Sequence, residues 1–251
     1  MFRWLLLAPI VAGTLLVAQT QKPLPNFDAF VTATRDNLIR SQREQFGFAY
    51  KERRTEFHVN PFGRVGTGAV EGFQVTPVDK GTVIVRRLIE RDGKPVADGA
   101  VQRIRVTEER RRPGRRTAME DVVAMLTFSL DHRETMKGRD VIVVHFAPRP
   151  NTDPETREGR IARVFKGSAW VDEALRQVIR VEATAVDDIS FGLGLIARLN
   201  EGTTVTLTQE AVDGTTWLPT SIRFAGQGRA LLIRKLNVDQ RIEWFDYKRV
   251  N

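Results

Sequence analysis

The hydrophobic pattern changes period along the chain, and each change marks an element. From Asn26 to Arg43, apolar residues fall at Phe27, Phe30, Val31, Leu38 and Ile39, the spacing of one helical face. Asn26 suits the N-cap, where a short polar side chain accepts from an orphan amide of the first turn. One amphipathic helix is predicted there. The period then shortens to two. Phe46, Phe48 and Tyr50 lie on one side, and Lys51 and Arg53 on the other, as in a strand with unlike faces. Arg64–Val78 and Gly81–Glu90 read as further strands, the second running into the turn signal Asp92-Gly93.

Residues 97–127 break this rhythm. Ala97 to Arg112 is highly charged, with Ala97, Val101 and Ile104 at helical spacing, and it stops at Pro113-Gly114. Thr117-Ala118-Met119-Glu120 has the form of a capping box. Met119, Val122, Val123 and Leu126 continue as a short helical stripe. A helical, Arg-rich insertion is therefore expected at about 97–127. Strands resume at Phe128–Met136 and Arg139–Ala147 around Lys137-Gly138. Five more are expected at about 160–172, 176–188, 203–212, 216–227 and 230–248, divided by turns such as Asp213-Gly214. Even spacing with turn residues between strands signals an antiparallel sandwich or barrel. The expected class is α+β, mostly β, with a few helices.

Several strands carry apolar residues on both faces. In 160–171, Ala162, Val164 and Trp170 oppose Ile161, Phe165 and Val171; near 231–236, Leu232 and Leu236 oppose Leu231 and Ile233. An antiparallel sheet with one wet face alternates cleanly. Here each face needs cover, from helices and from a second layer, a curled wall or an apolar ligand. Ordinary packing and a cavity both satisfy the pattern. The connection Ile189–Asn200 is also apolar, with Phe191, Leu193, Leu195, Ile196 and Leu199 beside Gly192 and Gly194. Loops are usually polar and run over the surface. This one reads as a flap over a cavity mouth or as a structural plug.

The first 18 residues alter the picture. Met1-Phe2-Arg3-Trp4 leads into an uncharged apolar run ending at Ala18, followed by Lys22, Pro23 and Pro25. The run is short for a bilayer span, which needs about 20 apolar residues, and it fits a signal peptide cleaved near Ala18. An uncleaved N-terminal anchor is the competing reading. The expected organisation is a signal peptide at 1–18 and a single domain at 19–251. There is no cysteine, so no lipobox and no lipid anchor, and release into the periplasm is expected. Stability must come from the core, for which the chain is long enough.

The net charge is +8, of which Arg3 is the only contribution from residues 1–18. Export argues against nucleic acid and towards anionic headgroups or an envelope protein. Seven arginines and two glutamates fall within Arg103–Arg116. Guanidinium groups suit phosphate, and a Pro-Gly turn would present Arg110, Arg111, Arg112, Arg115 and Arg116 as a headgroup or partner contact. A solvated basic loop is the alternative. His58, His132 and His145 lack metal-ligand spacing, and no nucleophile elbow, zinc-protease motif or P-loop occurs. His132 and His145 fall on neighbouring expected strands. Asp187-Asp188 reads as a turn, because adjacent strand residues face opposite ways. No catalysis, metal or cofactor is expected.

Three stretches carry a family resemblance. Met136 to Pro150 (MKGRDVIVVHFAPRP) resembles a strand with a Pro-rich exit. Lys166 to Asp172 (KGSAWVD), followed by Val178 to Glu182, resembles a "W-[IV]-D" hairpin. Trp217 to Phe224 (WLPTSIRF) resembles the next strand. In this order they resemble the LolA/LolB-like outer-membrane lipoprotein-sorting (lipoprotein carrier) proteins over about 136–248. The resemblance implies a curved antiparallel sheet, a half-barrel, closed by helices over a hydrophobic cavity that takes lipid or lipoprotein acyl chains without cofactor or reaction. Phe73, Phe128, Phe146 and Trp170, with Phe191, Leu195, Ile196 and Leu199 as the flap, would line or close it. The same fold also serves in periplasmic envelope-stress sensors that bind a protein, which is the alternative function.

Overall fold

Asn26 caps the first helix, its side chain accepting from the Ala29 amide at 3.0 Å. Helix α1 spans Phe27–Gln45. The computed structural model describes residues 22–59, 65–105, 116–191, 197–230 and 234–250. Strands β1 (Phe48–Val59), β2 (Val65–Val78), β3 (Val83–Arg91), β4 (Lys94–Pro95) and β5 (Val101–Arg105) follow, then helix α2 (Ala118–Ala124). Next come β6 (Leu126–Met136), β7 (Arg139–Pro148), helix α3 (Arg157–Ala162), β8 (Phe165–Asp172) and β9 (Val178–Ala185). The chain ends with β10 (Ile189–Phe191), β11 (Ala197–Leu199), β12 (Thr204–Ala211), β13 (Trp217–Ala230) and β14 (Arg234–Arg249). The hairpin turns predicted at Asp92-Gly93 and Lys137-Gly138 each place two successive residues at positive φ. That geometry matches the right-handed twist of the flanking strands.

The fourteen strands of the described residues join one antiparallel sheet. Its main path runs β4-β3-β2-β1-β14-β13-β12-β9-β8-β7-β6, with β5 on β3 and the β10–β11 hairpin on β13. Among the described residues no pairing links β6 to the β3–β5 end, so the sheet is open. The last strand, β14, lies between β1 and β13. It joins the amino-terminal strands to the rest.

Helices α1, α2 and α3 pack on one face, here the covered face. Phe30 and Leu38 of α1 meet Ile142, Val144, Val171 and Val178. Val122 of α2 and Ile161 of α3 join Leu126, Phe146, Phe165, Ala185, Ile189 and Leu199. Fully buried Asp121 ties the two short helices together. It accepts from the Glu155 and Thr156 amides, the Thr156 hydroxyl and Arg116 Nη1 at 2.7–3.0 Å. On the outer face, Val141, Ile179 and Trp217 form a smaller core with Met136, Trp170 and Ala211. Apolar residues on both faces of β7–β9 thus have protein cover on each side.

Three expectations are corrected. Residues 101–105 are not helical but form β5, paired to β3; an edge strand exposes one flank, which tolerates the charge that suggested a helix. Residues 157–162 are helical, with Thr156 accepting from the Gly159 amide as cap, so β8 starts five residues later than expected. The apolar connection is in its described parts a hairpin, β10–β11. Residues 192–196 and 106–115 lie outside the described residues. Among the described residues no helix is long and apolar enough to cross a membrane.

Candidate functional site

Directly opposed residues of antiparallel strands share a face, so the register traces the covered face across the sheet. Val181 and Ala183 of β9 oppose Leu207 and Val205, which oppose Ile222 and Phe224 of β13. Ile222 opposes Ile242 of β14. Ile242 and Trp244 oppose Arg54 and Glu52 of β1, Glu52 opposes Phe73, and Phe73 opposes Leu88. The face therefore divides into zones. Beneath the helices, β6–β9 form a filled core. At the far end, Phe73, Val75 and Leu88 form a second core with Tyr50, Ile84 and Val96. Between them, Val205, Leu207, Ile222, Phe224, Ile242 and Trp244 are only half-buried. This apolar strip crosses β12, β13 and β14, roughly 10 Å of sheet at the usual strand spacing.

A charged cluster stands where the strip meets the second core. Glu52 is 7% exposed and Arg86 is 8% exposed. Glu52 Oε1 accepts from Arg54 Nε at 2.6 Å and from Arg86 Nη2 at 2.7 Å. Its Oε2 accepts from the Trp244 indole at 3.2 Å. The Arg86 guanidinium stacks 3.5 Å from the Phe73 ring centre, and the Arg54 guanidinium lies 5.6 Å from it. Burial draws the Arg86 pKa down from its ordinary value. Burial, with the Glu52 charge adding to it, pushes the Tyr50 phenol up to about 12. Tyr50 packs on Tyr247 at 5.2 Å, and Tyr247 donates to the Pro219 carbonyl. The cluster links β1 to β3 across β2, and removing one partner of such a buried pair costs about 3–5 kcal/mol.

The residues proposed from sequence separate. Phe128, Phe146 and Leu199 sit together in the core under the helices. Phe73 lies on the same face at the other end, against Arg86. Trp170 is on the outer face, donating to Glu134 at 2.6 Å, so it shares no cavity with them. Phe191 is in β10, and Leu195 and Ile196 lie outside the described residues. Arg116 is half-buried and held by Glu155 and Asp121; Arg110, Arg111, Arg112 and Arg115 lie outside the described residues. Strand periodicity flags two members of the charged cluster, one at a time. Arg86 has the same parity as Ile84 and Leu88, and Glu52 follows Phe48 and Tyr50 on their side, before Arg54, Glu56 and His58.

The two histidines on neighbouring strands do approach one Asp131 carboxylate. Its Oδ2 lies 2.8 Å from His132 Nδ1 and 3.0 Å from His145 Nε2. His145 Nδ1 in turn lies 2.9 Å from the Ser168 hydroxyl. The hydrogen bond with Asp131 raises the His132 pKa. A serine, an imidazole and a carboxylate in line are a nucleophile's parts. Ser168, however, lies in β8 between β7 and β9, on an exposed outer face, where the local amides belong to ladders and do not converge on an oxyanion. The arrangement is a surface hydrogen-bond network. Among the described residues no group of three His, Cys, Asp or Glu side chains is placed to hold a metal. The outer face also carries a shallow recess of about 350 Å³ lined by Gln74, Thr76, Val85, Arg87 and Ile89.

No protein-family model matches the chain, and no curated protein matches it in sequence. Solved structures align along most of it. One is a DUF1329 family protein from Desulfovibrio piger, at 16% identity, covering 87% of this chain and 92% of that one, with a TM-score of 0.37. A domain described as an outer membrane lipoprotein-sorting protein, from Vibrio parahaemolyticus, aligns at 15% identity over 86% and 91%, with a TM-score of 0.38. A LolA superfamily protein from Nitrosomonas europaea aligns at 14% identity over 91% and 95%, with a TM-score of 0.40. The group named from the sequence is thus among those the chain is similar to in structure; at these scores the likeness transfers no site and no activity.

Proposed function

We propose that the chain is a non-catalytic envelope protein that binds acyl chains, of lipoproteins or other lipids, on the covered face of its sheet. It would act in outer-membrane lipoprotein sorting or envelope lipid transport. The observation that carries this reading is the half-buried apolar strip of Val205, Leu207, Ile222, Phe224, Ile242 and Trp244, continuous with the helix-covered core. Burying an acyl chain there is favourable by about 0.8 kcal/mol per methylene, without specific chemistry. The export segment expected at 1–18 suits a periplasmic location. Titration of the purified protein with a fluorescent fatty acid tests the reading. Phe224→Glu should lower affinity roughly tenfold or more by placing a charge on the strip, whereas Thr206→Glu, on the outer face, should not. No uptake by the wild type, or equal effects of the two variants, overturns the proposal.

A further inference from the structure

We infer that the Glu52–Arg54–Arg86 cluster is a headgroup site, selecting amphiphiles with an anionic carboxylate or phosphate head whose tail lies on the adjacent strip. This rests on the acyl-binding reading above and adds the chemistry of the head. The charge balance is the first reason. Two guanidinium groups share the Glu52 carboxylate, and Glu71, across from Arg54, is paired with Arg91, which leaves a net positive charge; at buried Arg86 that charge acts more strongly than at the surface.

Donor accounting is the second reason. Glu52 is already engaged at both oxygens, by Arg54 and Arg86 at one and Trp244 at the other. Arg86 Nε is buried and has no hydrogen-bond partner. A buried donor left unpaired is costly, and native structures rarely carry one without cause. An acidic head supplies acceptor oxygens, and guanidinium binds carboxylate and phosphate in its fork geometry.

Position is the third reason. Arg54 and Glu52 are the direct cross-strand neighbours of Ile242 and Trp244, which end the strip. The Arg54 side chain remains 35% exposed, so the cluster is reachable from solvent. A head held there would place its tail along β14, β13 and β12. An ion pair serving only to pin β1 to β3 needs neither the second arginine nor the apolar approach.

The test compares palmitate, hexadecyl phosphate and methyl palmitate, with inorganic phosphate as a competitor. Wild-type protein should bind the two acids roughly tenfold or more tighter than the ester, the scale of one charge-assisted hydrogen bond. Arg54→Gln, at the exposed member, should abolish most of that preference while methyl palmitate binding is unchanged. Arg86→Lys, whose folding is checked by its thermal melt, should weaken both acids and restore less than the wild-type preference. Equal binding of acids and ester by the wild type, or a preference that survives Arg54→Gln, overturns the headgroup site and leaves the acyl reading standing. Displacement of both acids by equimolar inorganic phosphate also overturns it, by showing a free-anion site. Binding of none of the three amphiphiles overturns both.

Discussion

Replacing Asp121 by alanine should destabilise the protein more than most single changes, although the residue lies in a seven-residue helix and not on the strip. Its carboxylate is 0% exposed. Oδ2 accepts from the Thr156 amide at 2.7 Å, the Thr156 hydroxyl at 2.8 Å and the Glu155 amide at 2.9 Å. Oδ1 accepts from Arg116 at 3.0 Å. Alanine removes all four acceptor contacts and strands two backbone amides and a hydroxyl at the start of α3. Each buried orphan costs about 1–3 kcal/mol, less where water can enter. Thr156 is 7% exposed, while Arg116 keeps Glu155 and is partly solvated. The expected loss is about 3–5 kcal/mol, a large part of the roughly 5–15 kcal/mol that holds a domain together. Equilibrium urea unfolding followed by tryptophan fluorescence measures it.

The same contact predicts a coupling that simple loss of a helix residue would not produce. A Cβ placed on Gly159 would fall 2.0 Å from Asp121 Oδ2, so Gly159→Ala should be strongly destabilising in the wild type. In the Asp121→Ala background that clash is gone, and the second substitution should cost far less. The double-mutant cycle should therefore show non-additivity of at least about 1 kcal/mol. A loss below about 1 kcal/mol for Asp121→Ala, or additive behaviour of the pair, refutes the argument that this carboxylate organises the helical cover.

Three further outcomes follow from other contacts. Glu173 is held down to about 2 from an ordinary 4.5, chiefly by its hydrogen bond from Arg133. Its contribution is complete above the unfolded value and is lost as pH falls through the folded one. Stability in urea unfolding should therefore fall between about pH 4.5 and 2 as Glu173 releases Arg133, which also donates to the Lys22 and Pro23 carbonyls; an equal fall in Glu173→Gln would refute this. Phe30→Ala removes a ring 1% exposed and should cost about 3–5 kcal/mol in urea unfolding, with a loss under about 2 kcal/mol meaning that α1 is not docked through it. Gly167→Ala would set a Cβ 1.9 Å from the Glu182 carbonyl oxygen, whereas the same change at Gly66 meets nothing within 4 Å. The first should lower the melting temperature by several degrees or prevent folding and the second should not; equal melting temperatures refute it.

How much of this was legible in the sequence depended on how far apart the deciding partners lie. The α1 cap and the Asp-Gly and Lys-Gly hairpins are local, and they stand where the pattern placed them. The capping box at Thr117–Glu120 is complete in both directions, yet its neighbour Asp121 carries no local signal of its role. Its partners lie 34 and 35 positions on, where no local pattern points. β5 was hidden because an edge strand shows solvent one flank: Val101 and Ile104 are 49% and 48% exposed, and a charged run fits that as readily as a helix. α3 was hidden because the apolar residues of 160–165 match two periods at once.

The charged cluster shows why the candidate site was the least legible part. Period-two reading puts Glu52 on the side of Phe48 and Tyr50 and Arg86 on that of Ile84 and Leu88, and taken singly each looks like a break in the pattern. Only the order β3-β2-β1-β14 brings Phe73, Glu52 and Trp244 into one row with Arg86 beside it, and Trp244 lies 192 positions from Glu52. A sheet that inserts its last strand beside its first can assemble a polar head on an apolar surface from residues no motif would contain. The same geometry gives selectivity a physical route, since the strip rewards any tail by area and only the arginines distinguish one head from another.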